Sequence, residues 1–309
     1  MTLRVTFLGT SGAVPTTRRA PSAVMVNREG ERFLFDCGEG TQRQMMRFGT
    51  GFDVDHLLVS HLHGDHVLGI PGLIQTWDFQ ERDAPLAIHA PPGSRRQLEN
   101  LIGAIDHNPG FPVRIHEVSP GGVAIDAEEY EVRTFETQHR TTSMGYALVE
   151  DDRKGRFMRE KAEEELGIPP GPAYGKLHRG ESVELGDGRV IDADRVVGPP
   201  RPGRSLVYTG DTRPVQATVE VADEPDLLIH DATFDDSEAG RARSTGHATA
   251  REAGEIAARA GAKRLALTHI SSRYPGDPKT HQREAAAAFD GDVFVAEDGD
   301  TVEVPFPDA

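Results

Sequence analysis

The stretch LLVSHLHGDHVLG, Leu57–Gly69, closes an apolar run and then places His61, His63, Asp65 and His66 within six positions. A strand that ends in a tight turn at Gly64 turns alternate side chains toward one point. His61 and His63 then face one metal ion. Asp65 and His66, at the start of the next helix, face a neighbouring one. Imidazole and carboxylate suit zinc, with manganese also tolerated where carboxylates bridge. Such a cluster sits at the end of a strand, so its remaining ligands are expected at other strand ends.

Three further residues have that context. His139 closes YEVRTFETQH, Asp211 closes SLVYTGD, and His269 closes RLALTH. Asp211 has two carboxylate oxygens and can bridge. These seven residues suffice for two zinc ions with four protein ligands each if Asp211 is shared. A zinc pair supplies hydroxide at neutral pH and clamps the attacking and leaving oxygens of a phosphoryl displacement. His56, His89, His107, His116, His178, His230 and His281 are read as structural. The one cysteine, Cys37, permits no internal disulfide and no thiolate cage.

Short β-branched segments alternate with helical ones along the 309 residues. Helices are expected over Thr41–Phe48, Ser94–Ile102, Arg156–Leu166, Thr249–Ala260 and His281–Phe289. Strands follow one another in the first half, which predicts an α/β fold of two sheets covered by helices rather than one doubly wound sheet. Glu150–Arg204 breaks the pattern. IPPGPAYGKLHRG and VVGPPRPGR are dense in Pro and Gly, and ESVELGDGRVIDADR between them reads as a small hairpin. The region is expected to be an insertion protruding from the main domain.

No run approaches the roughly 18 apolar residues of a membrane span, and the N-terminus starts on a strand pattern without a secretion signal. A cytoplasmic protein with no membrane partner is expected. Net charge is −16, and 29 of the 34 cations are arginine. Abundant acid with scarce lysine resembles the composition of halophile proteins; an acidic protein from a GC-rich genome is the alternative. Net negative charge opposes nucleic-acid binding, so any RNA contact must rest on local positive charge. Arg18, Arg19, Lys176, His178, Arg179, Arg201, Arg204 and Arg273 are the candidates.

H-x-H-x-D-H, followed by His139, Asp211 in TGDT and His269 in LTHIS, resembles the metallo-β-lactamase superfamily, which implies an αββα sandwich with metals at one edge. Finer motifs resemble the short form of ribonuclease Z along nearly the whole chain: FLGTSGAVPTTRRAPSAVMV, DCGEGTQRQM, IPPGPAYGKLHRGESVELGDGRVI, GRSLVYTGDTRP, LLIHDATF and GHATAREAGEIAARAGAKRLALTHISSRY. The resemblance implies one domain over residues 1–309 in which Glu150–Arg204 is a flexible arm that grips tRNA. It implies that His61, His63 and His139 hold one zinc, that Asp65, His66 and His269 hold the other, and that Asp211 bridges them. Asp65 would accept a proton from the attacking water. His247 would give one to the leaving oxygen, held by Asp231. The implied reaction removes the 3′ trailer of precursor tRNA beside the discriminator base, leaving a 3′-hydroxyl and a 5′-phosphate, in a homodimer. The runner-up is a phosphodiesterase or small-ester hydrolase on the same fold. The chain departs from the family pattern at Asp231 (usually Glu), Ala248 (usually Ser), Thr17 (Lys) and Ala20 (Asn); the last two lie in a loop associated with the treatment of CCA-bearing tRNA.

Overall fold

The computed structural model describes residues 2–104, 109–221, 224–276 and 278–307; His107 lies outside them. The larger of two compact units comprises residues 1–149 and 204–305. Its first sheet has seven strands in the order Thr301–Glu303, Leu3–Gly9, Ala23–Arg28, Glu31–Phe35, His56–Leu58, Leu86–Ala90, Val113–Glu117. The second also has seven, in the order Asp292–Val295, Arg264–Thr268, Leu227–Asp231, Ser205–Tyr208, Met144–Glu150, Tyr130–Glu136, Val123–Asp126.

Alternation within strands builds the layers. Val24, Val26, Phe35 and Leu58 point into the core between the sheets and meet Tyr146, Leu148, Leu206 and Ile229 from the second sheet. Their neighbours Ala23, Met25, Leu34, Leu57 and Val59 point outward to the helices Thr41–Phe48, Ile70–Phe79 and Arg95–Ile102. Leu228, Leu265 and Leu267 do the same for Ala250–Arg259 and Lys279–Ala286. The result is helix, sheet, sheet, helix. Truncating a fully buried core ring such as Phe35 to alanine costs about 3–5 kcal/mol at such sites.

Four strands of each sheet run parallel: Glu31–Phe35, His56–Leu58, Leu86–Ala90 and Val113–Glu117 in the first, Ser205–Tyr208, Leu227–Asp231, Arg264–Thr268 and Asp292–Val295 in the second. Their carboxyl ends are where side chains converge in open sheets. No helix among the described residues is long and apolar enough to cross a membrane.

The second unit comprises residues 150–203 and 306–309. It has its own small core of Ala162, Leu166, Ile168, Leu177, Ile191 and Val196. Val183–Glu184 pairs antiparallel with Val190–Ile191, the expected hairpin. Two local expectations need correction. Residues 156–158 are not helical, because Phe157 bridges Val197 and Met158 N–H bonds Val196 O; the helical stretch is confined to residues 159–165, of which Lys161–Glu165 is π-helical. Conversely, Pro172–His178 is a helix inside the Pro/Gly-rich stretch, with Pro172 in the first turn, where no backbone N–H is needed.

Candidate metal centre

Every predicted ligand stands in the turn beyond a strand. His61, His63, Asp65 and His66 follow His56–Leu58, with Gly64–Val67 forming a single helical turn. His139, Asp211 and His269 follow Tyr130–Glu136, Ser205–Tyr208 and Arg264–Thr268. The structure gathers all seven into two groups of four that share Asp211.

In one group, Asp65 Oδ2 lies 3.4 Å from His66 Nε2 and 3.3 Å from His269 Nε2, while Asp211 Oδ1 lies 3.3 and 3.2 Å from the same nitrogens. Ligands 2.0–2.1 Å from a tetrahedral zinc stand about 3.3 Å apart, and these four separations match that spacing. In the other group His61 Nε2 and His63 Nδ1 are 2.9 Å apart, His63 Nδ1 and His139 Nε2 3.2 Å, and Asp211 Oδ2 lies 3.6 and 3.8 Å from His61 and His139. His66 Nε2 and Asp211 Oδ1 are buried and make no hydrogen bond among the described residues. Buried polar atoms rarely stay unsatisfied; a cation between them satisfies both.

The outer nitrogen of each ring that offers Nε2 is fixed. His66 Nδ1–H donates to Asp36 Oδ2 at 2.7 Å, and His61 Nδ1–H to Ser60 Oγ at 3.0 Å. Ser60 Oγ–H in turn donates to Asp36 Oδ2 at 2.7 Å. His139 Nδ1–H donates to Gly246 O at 2.9 Å and His269 Nδ1–H to Thr233 Oγ1 at 2.8 Å. Such partners set tautomer and orientation in metal sites. The backbone is held in an uncommon state here as well. Ala13, Asp36 and His269 have φ of 57°, 57° and 61°, left-handed values that cost non-glycine residues about 1–3 kcal/mol each and cluster at functional sites. Gly12 packs on His269 so closely that a Cβ would stand 2.6 Å from its carbonyl oxygen.

Ionisation follows the same geometry. Burial and the neighbouring imidazoles of His66, His139 and His63 hold His61 well below the ordinary histidine range, a neutral ring suited to ligation. Burial opposes the charge on Asp211, but His269, His66 and His61 outweigh it and keep its carboxyl well below the usual range.

His247 and Asp231 form a separate pair beside the two groups. His247 Nδ1 is 2.8 Å from Asp231 Oδ2. Burial lowers the His247 pKa, but the Asp231 charge and hydrogen bond outweigh that and bring it to about 9. Asp231 also accepts Thr212 N–H at 3.1 Å, Thr233 N–H at 2.8 Å and Thr233 Oγ–H at 2.6 Å. Both of its oxygens are occupied, so Asp211, Asp231, His247 and His269, although close together, make an oriented imidazole rather than a third cation site.

Comparison with known proteins fits this geometry. A family described as "Beta-lactamase superfamily domain" matches residues 195–270, and one described as "Anti-Pycsar protein Apyc1" matches residues 3–155. The chain is 65% identical to a "Ribonuclease Z" of Halorubrum lacusprofundi over 100% of its own length and 99% of the relative's. It is also 65% identical to a "Ribonuclease Z" of Haloferax volcanii, over 100% of this chain and 97% of that one. The chain belongs to the ribonuclease Z family. The crystal structure of the short form of human tRNase Z is similar, with a TM-score of 0.71 and 29% identity, covering 98% of this chain and 100% of the human one. Family membership makes the chain an endoribonuclease of the ribonuclease Z type, on a metallo-β-lactamase fold that implies divalent-metal binding.

Asp231 reaches His247 although its side chain is one methylene shorter than a glutamate, and Ala248 is fully buried. The predicted substrate arginines divide. Arg18 is exposed and paired with Glu297 at 3.2 Å. Arg19 is buried, its guanidinium on Thr10 Oγ1 and Ala296 O, and Arg204 is 1% exposed. Burial makes both parts of the scaffold instead of a surface for RNA. Lys176 and Arg273 are exposed, and Arg179 is paired with Glu181 at 2.8 Å. The sequence reading did not single out Asp36, Ser60, Tyr208 or Thr233. Asp36 closes the strand segment RFLFD in the same way that Asp211 closes SLVYTGD, and that signal was available.

Proposed function

We propose that this chain is a zinc-dependent tRNA 3′-processing endoribonuclease. It cuts precursor tRNA on the 3′ side of the discriminator base and leaves a tRNA 3′-hydroxyl and a trailer 5′-phosphate. The observation that carries the reading is one edge of the fold bearing two complete four-ligand groups that share Asp211, with the His247–Asp231 pair beside them. His61, His63 and His139 would hold one ion, Asp65, His66 and His269 the other, with Asp211 between. Two bound zinc ions supply Lewis acidity toward a phosphate oxygen and lower the pKa of water.

The chain's own groups do the rest. Asp65 is held by Ala13 N–H at 3.0 Å and takes the proton of the attacking water. Asp231 commits His247 Nδ1, leaving Nε2 to protonate the departing 3′ oxygen. The residues of 150–204 serve as the tRNA-gripping arm, with Lys176 and Arg179 as contacts, Arg18 and Arg273 contact the substrate from the larger unit, and the enzyme works as a homodimer in the cytoplasm of a halophile.

The test uses a labelled precursor tRNA in concentrated KCl with wild type and Asp65→Ala in parallel. A single cut beside the discriminator base, lost in the variant, is expected. Folded, zinc-loaded wild type that leaves the precursor intact but hydrolyses small phosphodiesters would overturn the assignment.

A further inference from the structure

A cleft of about 310 Å³ lies between the loop Pro15–Pro21 and one face of the helix Thr41–Phe48. It adjoins the metal centre. Ala13, two residues before that loop, donates its N–H to Asp65 Oδ2 at 3.0 Å. Gly38, next to the cleft residue Glu39, sits so close that a Cβ would be 2.4 Å from Asp65 O and 2.5 Å from Pro21.

The helix TQRQMMRF contains no acid. Arg43 and Arg47 stand four apart on it, on one face, where like charges repel. Both are exposed and line the cleft, and neither has an acidic partner among the described residues; Arg47 only rests 5.0 Å from the Phe48 ring centroid. Elsewhere the chain pairs arginine with acid at this spacing, as in Arg159–Glu163 at 2.7 Å. Arg18 lines the opposite wall, tied on one side to Glu297. The acids in the cleft are Glu39 and Asp298, and Asp298 is occupied by Thr10 Oγ–H, Ala20 N–H and Gln44 Nε2–H at 2.8, 2.7 and 2.8 Å. In a chain of net charge −16, two exposed arginines on one helix face with no acidic partner among the described residues suit an anion, even with Glu39 in the same cleft. Guanidinium groups bind phosphate through paired N–H donors.

We propose that Arg43 and Arg47, with Arg18 opposite, clamp consecutive phosphates of the substrate RNA strand next to the cleaved bond. The proposal rests on the ribonuclease reading above and adds positioning residues to it.

The experiment measures binding of a labelled, trailer-bearing precursor tRNA by fluorescence anisotropy, over a series of KCl concentrations at which circular dichroism shows an intact fold. Wild type is compared with Arg43→Gln/Arg47→Gln, with Arg43→Lys/Arg47→Lys, and with a control that removes two exposed arginines elsewhere, Arg96→Gln/Arg114→Gln. Each phosphate contact contributes about 0.7–0.9 to the slope of log K against log salt, so the Gln pair is expected to flatten the slope by about 1.4–1.8. It should weaken binding by about tenfold or more and raise KM while leaving kcat and turnover of bis(p-nitrophenyl) phosphate unchanged. The Lys pair should restore the slope but only part of the affinity, because lysine lacks the paired donors. The same slope and affinity in the Gln pair as in the control would overturn the clamp. Wild type that binds the precursor through these arginines but never cuts it would overturn the endonuclease reading and leave the clamp standing.

Discussion

Replacing Asp36 by asparagine tests whether the metal centre is built from behind. Asp36 is fully buried and accepts four hydrogen bonds, from Ser60 N–H, Ser60 Oγ–H, Tyr208 O–H and His66 Nδ1–H, each at 2.7 Å. Three of the four reach Oδ2. In the less costly orientation, Asp36→Asn keeps its oxygen there and turns its amide NH₂ toward Ser60 N–H, donor against donor. A buried N–H left unmade costs about 1–3 kcal/mol, which is the expected loss of stability in metal-free protein. The lost charge also makes His66 a weaker ligand and loosens the Ser60 link to His61. Outer partners of this kind are worth about 10- to 100-fold in metal affinity, or about 1.4–2.7 kcal/mol. Zinc affinity by chelator competition and denaturant unfolding with and without zinc measure the two parts separately. Tyr208→Phe removes one donor from an oxygen that keeps two others, and should cost no more than about 1 kcal/mol with little change in zinc affinity. A folded Asp36→Asn protein that binds zinc within about twofold of wild type would refute the reasoning, because the outer bonds would then not set ligand strength.

Three other outcomes are expected. Burial, followed by the like charges of His56 and His116, pushes His89 down to about 3, and burial pushes His281 to about 4; the unfolded chain therefore binds more protons than the native one below about pH 6.5. Stability from these groups is full above that pH and falls as pH drops toward 4 and 3, so urea midpoints should decline on acidification, and less steeply in His89→Leu. Burial raises the Cys37 thiol to about 12, and its N–H bonds His66 O in the metal turn, so a disulfide reagent at pH 8 should leave Cys37 unlabelled until a chelator loosens that turn; equal labelling rates with and without zinc would count against the link. Asp231→Asn should lower kcat on precursor tRNA by about 10²–10⁴ with zinc content unchanged, and a loss of zinc instead would show that Asp231 serves the metals.

That seven imidazole and carboxylate groups would gather at one edge was legible because each stands at the end of an apolar strand. The same strand-end context holds for a residue that binds no metal directly. It selected His139, Asp211 and His269, yet Asp36 also closes an apolar strand and is the hub behind His61 and His66. Helix Ile70–Phe79 was not among the expected helices; Gly69, Pro71 and Gly72 are weak helix formers, although Ile70, Leu73, Ile74 and Trp77 bury one stripe at helical spacing. Pro71 falls within the first turn, where proline is tolerated. Charge alone misjudged Arg19 and Arg204. A guanidinium that finds internal acceptors, as Arg19 does on Thr10 and Ala296, is indistinguishable in sequence from one that meets solvent.

That distinction bears on how a chain of net charge −16 holds a polyanion. At about 1 M salt the Debye length is near 3 Å, so acids more than a few ångströms from a phosphate hardly repel it, and distant arginines hardly attract it. Only groups at hydrogen-bond distance still contribute. Exposed pairs such as Arg179–Glu181 and Arg251–Asp236, at 2.8 and 2.5 Å, must break an existing bond before they can bind RNA. Arg43 and Arg47 have no such bond among the described residues. The slope of affinity against salt then counts the phosphates gripped rather than the net charge of the protein, and a wild-type slope too small to include two contacts would mean that shape, not arginine, holds the RNA.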